Sequence, residues 1–156
     1  MKNFIFLFLF FTFTASCGFK VVDKSQLTNF NLQEIVTSGE SKINYKLKNK
    51  LSIFKQYKNN NKFYNINLKT NKIKNIKEKN INNVITKYEV KITTQVVVNN
   101  ANGKKIDQFT ASEIGTYETG NRHSQTILNE KKIINLITND LADEIIDQLF
   151  ITLNDL

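Results

Sequence analysis

The sequence predicts an α+β fold: a two-layer sandwich in the order β-α-β-β-β-α, with two helices packed on one face of a four-stranded mixed sheet. Three observations predict it. Residues 84–98 alternate apolar and polar without a break in phase on the apolar side. Ile43, Leu47, Leu51 and Phe54 recur at helical spacing, and so do Ile127, Ile134, Ile137, Leu141, Ile145, Leu149 and Leu153 further on. A sheet with one apolar face and two amphipathic helices bury their apolar surfaces together most economically as two layers.

The first sixteen residues stand apart from that domain. Met1-Lys2-Asn3 is a short basic start, and Phe4 to Phe13 is almost entirely Phe, Leu and Ile. The small residues Thr14-Ala15-Ser16 then lead into Cys17. This is the order of a cleaved secretory signal, whose apolar run of about ten residues is too short for the ~20 needed to span a bilayer. Cys17 is the only cysteine. It follows a small pair as in a bacterial lipobox, although Thr14 stands where Leu or Val is usual. The expected organisation is therefore a signal peptide over 1–16, a lipidated tether over 17–28 and one α/β domain over 29–156. With no second cysteine, no internal disulfide can form.

Along the domain, Phe30–Val36 reads as a strand. Thr37 and Glu40, at capping-box spacing, predict a helix start. The stripe ending at Phe54 predicts a helix that runs to about Tyr57, before Asn59-Asn60-Asn61. Phe63–Thr70 alternates and forms the second strand. The Asn/Lys-rich stretch that follows, through residue 83, reads as a loop. The third strand covers Val84–Val98, with Lys87, Glu89, Lys91, Thr93 and Gln95 on its polar face. Asn102-Gly103 closes a turn. The fourth strand covers Lys104–Thr119, and its apolar positions change phase, which suggests bulges near Gln108 and Ser112. Ser124–Leu153 is the closing helix.

The chain carries a formal charge of +8. Export argues against nucleic acid, and Arg122 is the only arginine, whereas base and phosphate readers favour the bidentate guanidinium. A lysine, asparagine and isoleucine excess is also what a biased genome composition produces. The only histidine, His123, has no companion ligands for a metal. Ser112 and Ser124 lack the ordered partners that activate a nucleophile. Asp143 and Glu144 are adjacent on a helix and point in different directions. No glycine-rich phosphate loop is present. The expectation is a non-enzymatic protein without metal or cofactor.

Several short segments together resemble the lipopolysaccharide-assembly lipoprotein family, LptE. They are Cys17-Gly18-Phe19 at the mature terminus, the tether into an early strand and helix, and the long third strand entering Asn102-Gly103-Lys104. The fourth strand ending in Thr116-Tyr117 and the helical Leu141-Ala142-Asp143-Glu144-Ile145 complete the set. The resemblance spans residues 17–153. It implies the two-layer fold above and a non-catalytic protein that plugs an outer-membrane β-barrel (LptD) at one-to-one ratio, assists its assembly and binds lipopolysaccharide. It also implies acyl chains on Cys17 that hold the protein at the periplasmic side of the outer membrane, with Gly18 permitting that sorting. The lysines of the exposed sheet face and the adjoining turn, Lys87, Lys91, Lys104 and Lys105, together with Arg122, are the expected lipopolysaccharide contacts. A free-standing, lipid-anchored chaperone without a barrel partner is the alternative of a different class.

Overall fold

The structure, a computed structural model, describes residues 30–55 and 62–154. The expected signal segment, Cys17 and the tether lie outside the described residues. β1 (Asn31–Gly39) leads into α1 (Ser41–Leu51) and a single 3₁₀ turn (Ser52–Lys55). Then follow β2 (Phe63–Lys79), β3 (Ile85–Asn100), β4 (Lys105–Glu118) and α2 (His123–Asn154). The sheet order is β1-β2-β3-β4, with β1 parallel to β2 and the remaining pairs antiparallel. The predicted α+β sandwich is the observed one.

β3 is one of the two inner strands, and its alternation puts one face in the core. Val90, Ile92, Thr94, Val96 and Val98 are fully buried against the helices, and Lys91 projects from the opposite face. Thr94 is polar, and its hydroxyl meets that of Thr70 at 2.9 Å on β2. Both hydroxyls are thereby satisfied where water cannot reach. The predicted stripe of α1 is buried at Ile43, Leu47 and Leu51, and Phe54 is buried in the turn behind it. The stripe of α2 is buried from Ile137 to Leu153. One end of the core is sealed by Phe30, Phe54, Tyr64 and Phe150, whose ring centroids lie 5.8–6.4 Å apart in the contacting pairs.

Four local expectations are corrected. β2 does not end at Thr70 but continues to Lys79, so residues 71–79 are strand. Their Asn/Lys composition is poor for a strand, yet β3 pairs with them continuously from Thr93 to Tyr88 and, past register shifts around Glu78, on to Ile85, and this pairing overrides propensity. The turn is only Asn80–Val84, where the Asn80 carboxamide oxygen accepts from the backbone of Asn82 and Val84 and Asn83 takes φ of 60°. At α1 the capping box is absent: Thr37 lies within β1, and Glu40 is itself the cap residue with no side-chain cap bond. Asn44 reaches back instead and donates to the Ser38 carbonyl at 2.9 Å. The α-helix stops at Leu51 rather than near Tyr57, which lies outside the described residues.

The fourth correction concerns β4. Register slips once, leaving Ile106 without a partner between Asn99↔Lys105 and Val98↔Asp107, two residues ahead of the bulge expected near Gln108. From Asp107 to Glu118 pairing is continuous, so no bulge exists at Ser112. The apparent phase change has another cause. Ile114 faces outward opposite Lys91, while Ala111 and Gly115 face α2, which packs directly over them. A β-carbon at Gly115 would lie 2.6 Å from Ile133 Cγ1 and 2.9 Å from Ile137 Cγ2. The inward positions are small because the helix is close. Gly115→Val should therefore destabilise the protein by about 1–3 kcal/mol through overpacking. Urea unfolding would show a lower midpoint with unchanged slope; an unchanged midpoint would mean that α2 is free to move away.

Candidate functional site

The expected lipopolysaccharide contacts do not form one site. Lys104 and Lys105 stand at the β3–β4 turn, beside Asn99 and Asn100. Lys87 lies at the other end of β3, paired with Glu118, and Arg122 follows β4 at that same end. Asn99 lies twelve steps along β3 from Lys87, roughly 40 Å at about 3.3 Å per residue. The structure brings Lys87 and Lys91 together on the outer sheet face with Arg122 near the same end, and leaves Lys104 and Lys105 remote.

Among these cations the surroundings differ. Lys87 is 3.1 Å from Glu78, and its neighbour Lys77 is 3.0 Å from Glu89. Lys105 donates to Gln108 at 3.3 Å. Lys91 sits between two exposed isoleucines, Ile73 on β2 and Ile114 on β4, and has no acidic partner among the described residues. Like Lys69 on the same face, it has no ion pair among the described residues, and it differs from Lys69 in its two apolar neighbours.

The helix side carries a feature that the sequence reading missed. Lys46 bonds the Asn135 side chain, and Lys50 meets Asp143 at 3.1 Å, so α1 and α2 run parallel with Ser41 near residue 131. α1 has 11 residues and α2 has 32. The first eight residues of α2 thus extend about 12 Å beyond the start of α1. Ile127, in that overhang, loses its cover, while Ile134 beside α1 stays half-buried. A cleft of about 430 Å³ results, with Ile43, Ile127, Ile134 and Thr138 lining its depth and Lys42, Lys46, Lys72 and Lys131 around it. Glu40 and Glu130 are its two acids. Lys72 belongs to the segment read as a loop, and the other lysines belong to the flanks of two helices far apart in sequence. The only sequence signal was a long helical stripe facing a short one.

Beside this cleft lies a closed electrostatic cluster. Lys74 Nζ is 2.7 Å from Glu130 and 4.3 Å from the centre of the Tyr88 ring, which stacks on Tyr117. The Tyr117 hydroxyl also donates to Glu130, at 2.9 Å. Burial pushes the Glu130 carboxyl upward, but the hydrogen bonds from Lys74 and Tyr117 and the charges of Lys74 and Lys72 outweigh it, and its pKa is lowered. Glu144 is shifted the other way. Burial raises its pKa, the Glu113 charge adds to this, and a backbone hydrogen bond from Ser112 opposes both. Its Oε2 is buried without a partner. Asp143 next to it is exposed and paired with Lys50, so the adjacent acids diverge as expected.

Among the described residues no helix is long and apolar enough to cross a membrane. No protein-family model matches the chain, and no curated protein matches it. Solved structures do. A minor lipoprotein from Acinetobacter baumannii superposes with a TM-score of 0.60 at 16% identity, covering 78% of this chain and 90% of that one. An uncharacterized lipoprotein B from Nitrosomonas europaea gives 0.55 at 11% identity, covering 78% and 83%. The rare lipoprotein B from Shewanella oneidensis gives 0.51 at 14% identity, covering 74% and 92%. The fold is one these lipoproteins share. At such identities the likeness establishes architecture, and it extends over nearly the whole length of each.

The two carboxyls give opposite pH behaviour. Glu130, with its pKa lowered in the fold, contributes stability that is complete above the ordinary carboxylate value of 4.5 and is lost as pH falls through its folded pKa. Glu144, with its pKa raised, weakens the fold while ionised, and this penalty fades as pH falls through its folded pKa. Thermal melts at pH 7 should show Glu130→Gln lowered and Glu144→Gln raised relative to the parent; as pH falls the Glu144 difference shrinks first, and the Glu130 difference persists until pH drops below 4.5. Melting shifts of the same sign for both variants would contradict this assignment.

Proposed function

We propose that this chain is a non-catalytic, lipid-anchored outer-membrane protein of the LptE type, which plugs and assists assembly of a lipopolysaccharide-translocating β-barrel and binds lipopolysaccharide on the periplasmic side. One observation carries the reading: a chain that begins with a lipobox-like segment and resembles that family over residues 17–153 has the two-layer fold found in solved lipoproteins. The sheet's outer face supports it. Ser38, Lys69, Gln95 and Thr110 form one cross-strand row there, and Asn71, Thr93 and Ser112 another. A rigid domain with such a face suits the polar lumen of a large barrel. Two or more acyl chains on Cys17 would give stable anchoring where one would not.

For lipopolysaccharide, the phosphates of lipid A are anions that a lysine meets as a point charge. Lys91 is the residue best placed on the outer face, since no carboxylate competes for it and the flanking Ile73 and Ile114 offer apolar contact. Lys87 must first leave Glu78.

Two measurements test the proposal. Full-length lipidated protein, extracted from native envelopes in mild detergent, should co-purify with a large β-barrel at one-to-one ratio; recovery of the protein alone would favour the free-standing chaperone. In lipopolysaccharide binding, Lys91→Glu should weaken affinity about tenfold at low salt and Lys87→Glu by less, both effects shrinking as salt rises. Equal affinity for parent and Lys91→Glu would remove the outer face as the contact surface.

A further inference from the structure

We infer that the cleft between α1 and α2 is a second ligand site, which takes a single alkyl chain bearing an anionic headgroup. The inference goes beyond the proposed outer-face contact and lies on the opposite side of the sheet. Its first support is the composition of the cleft. Ile43, Ile127 and Ile134 line its depth, and the Thr138 hydroxyl is already committed, donating to the Ile134 carbonyl at 2.6 Å. The side chains of these four residues therefore offer no free hydrogen-bond donor to orient a sugar or a peptide. Apolar surface of this kind gains from covering by a chain, at roughly 25 cal/mol per Å² removed from water.

The second support is charge. Glu130 is occupied by Lys74 and the Tyr117 hydroxyl, and Glu40 lies 3.7 Å from Lys72. Both acids are thus compensated by β2. Lys46 has only the neutral Asn135 carboxamide, and Lys42 and Lys131 have no acidic partner among the described residues. Three ammonium groups at the rim remain uncompensated above an apolar slot. A ligand complementary to both parts is an anionic amphiphile, and a volume of about 430 Å³ falls toward the lower end of the ~300–1,000 Å³ of small-molecule sites, so the slot suits one chain rather than several.

Photo-crosslinking tests this on the full-length lipidated protein in phosphatidylcholine nanodiscs. The probe is a dodecyl phosphate carrying a diazirine at the chain end; the comparator has the same chain and a neutral maltoside head. Adducts mapped by mass spectrometry should fall on Ile43, Ile127 or Ile134, with the maltoside labelling at least tenfold less. The paired change Lys42→Glu and Lys131→Glu, at exposed positions and with the fold checked by circular dichroism, should lower phosphate-probe labelling about tenfold. Excess inorganic phosphate should not compete. Lys91→Glu, on the other face, should leave labelling unchanged, so failure here and failure of the outer-face reading are told apart. Equal labelling by both probes, competition by inorganic phosphate, adducts only elsewhere, or insensitivity to the paired lysine change would each overturn the inference, as expected if the cleft is instead covered by a protein partner.

Discussion

The fold rests on how closely α2 can lie against β3 and β4. Gly115 provides the room where Ile133 and Ile137 descend, and Ala111, buried further along β4, adds no bulk beyond a β-carbon. Interiors pack near the density of organic crystals, so a helix this close fixes its own rotation and translation to within a fraction of a side chain. Ile137, Leu141, Ile145, Leu149 and Leu153 are then driven into one line over the sheet. α1 fills the remaining space beside them over β1 and β2. Two helices of unequal length on one sheet leave part of the longer one uncovered, and the cleft opens where α1 begins, between the uncovered Ile127 and the half-buried Ile134.

The long β2–β3 hairpin follows from the same arrangement. β1 ends its pairing at Gly39↔Thr70, where a side chain on Gly39 would meet the Thr70 carbonyl and φ is +90°. Beyond that point β2 is an edge strand to Lys79. Edges invite unwanted strand pairing, and charged side chains, lysine especially, oppose it. Lys72, Lys74, Lys77 and Lys79 lie along this edge. Three of them are anchored by Glu40, Glu130 and Glu89, so the hairpin is braced to α2 and to β3 rather than left to its weak strand propensity.

This pairing changes what the net charge means. Much of the lysine excess on the hairpin is neutralised locally, and such exposed pairs contribute little individually to stability. Lys91 outside and Lys42, Lys46 and Lys131 around the cleft are among the described cations that have no ion pair. A formal charge of +8 summed over the chain gives no indication of that division.

The sequence by itself determined the element order, the layer arrangement and the inward face of β3, because a period-two or helical pattern of apolar residues dictates which side of an element must leave water. It also determined that Asp143 and Glu144 cannot act together. What it misjudged were positions where local composition and tertiary demand disagree: Asn and Lys in 71–79 held as strand by β3, Glu40 displaced from a capping box into an ion pair, and small residues at 111 and 115 imitating a phase slip. The tertiary structure alone decided which charges survive pairing and which apolar residues stay uncovered. Both depend on distances between segments remote in the chain, such as Lys42 and Lys131, or Lys74 and Glu130, and no spacing along one strand or helix encodes them.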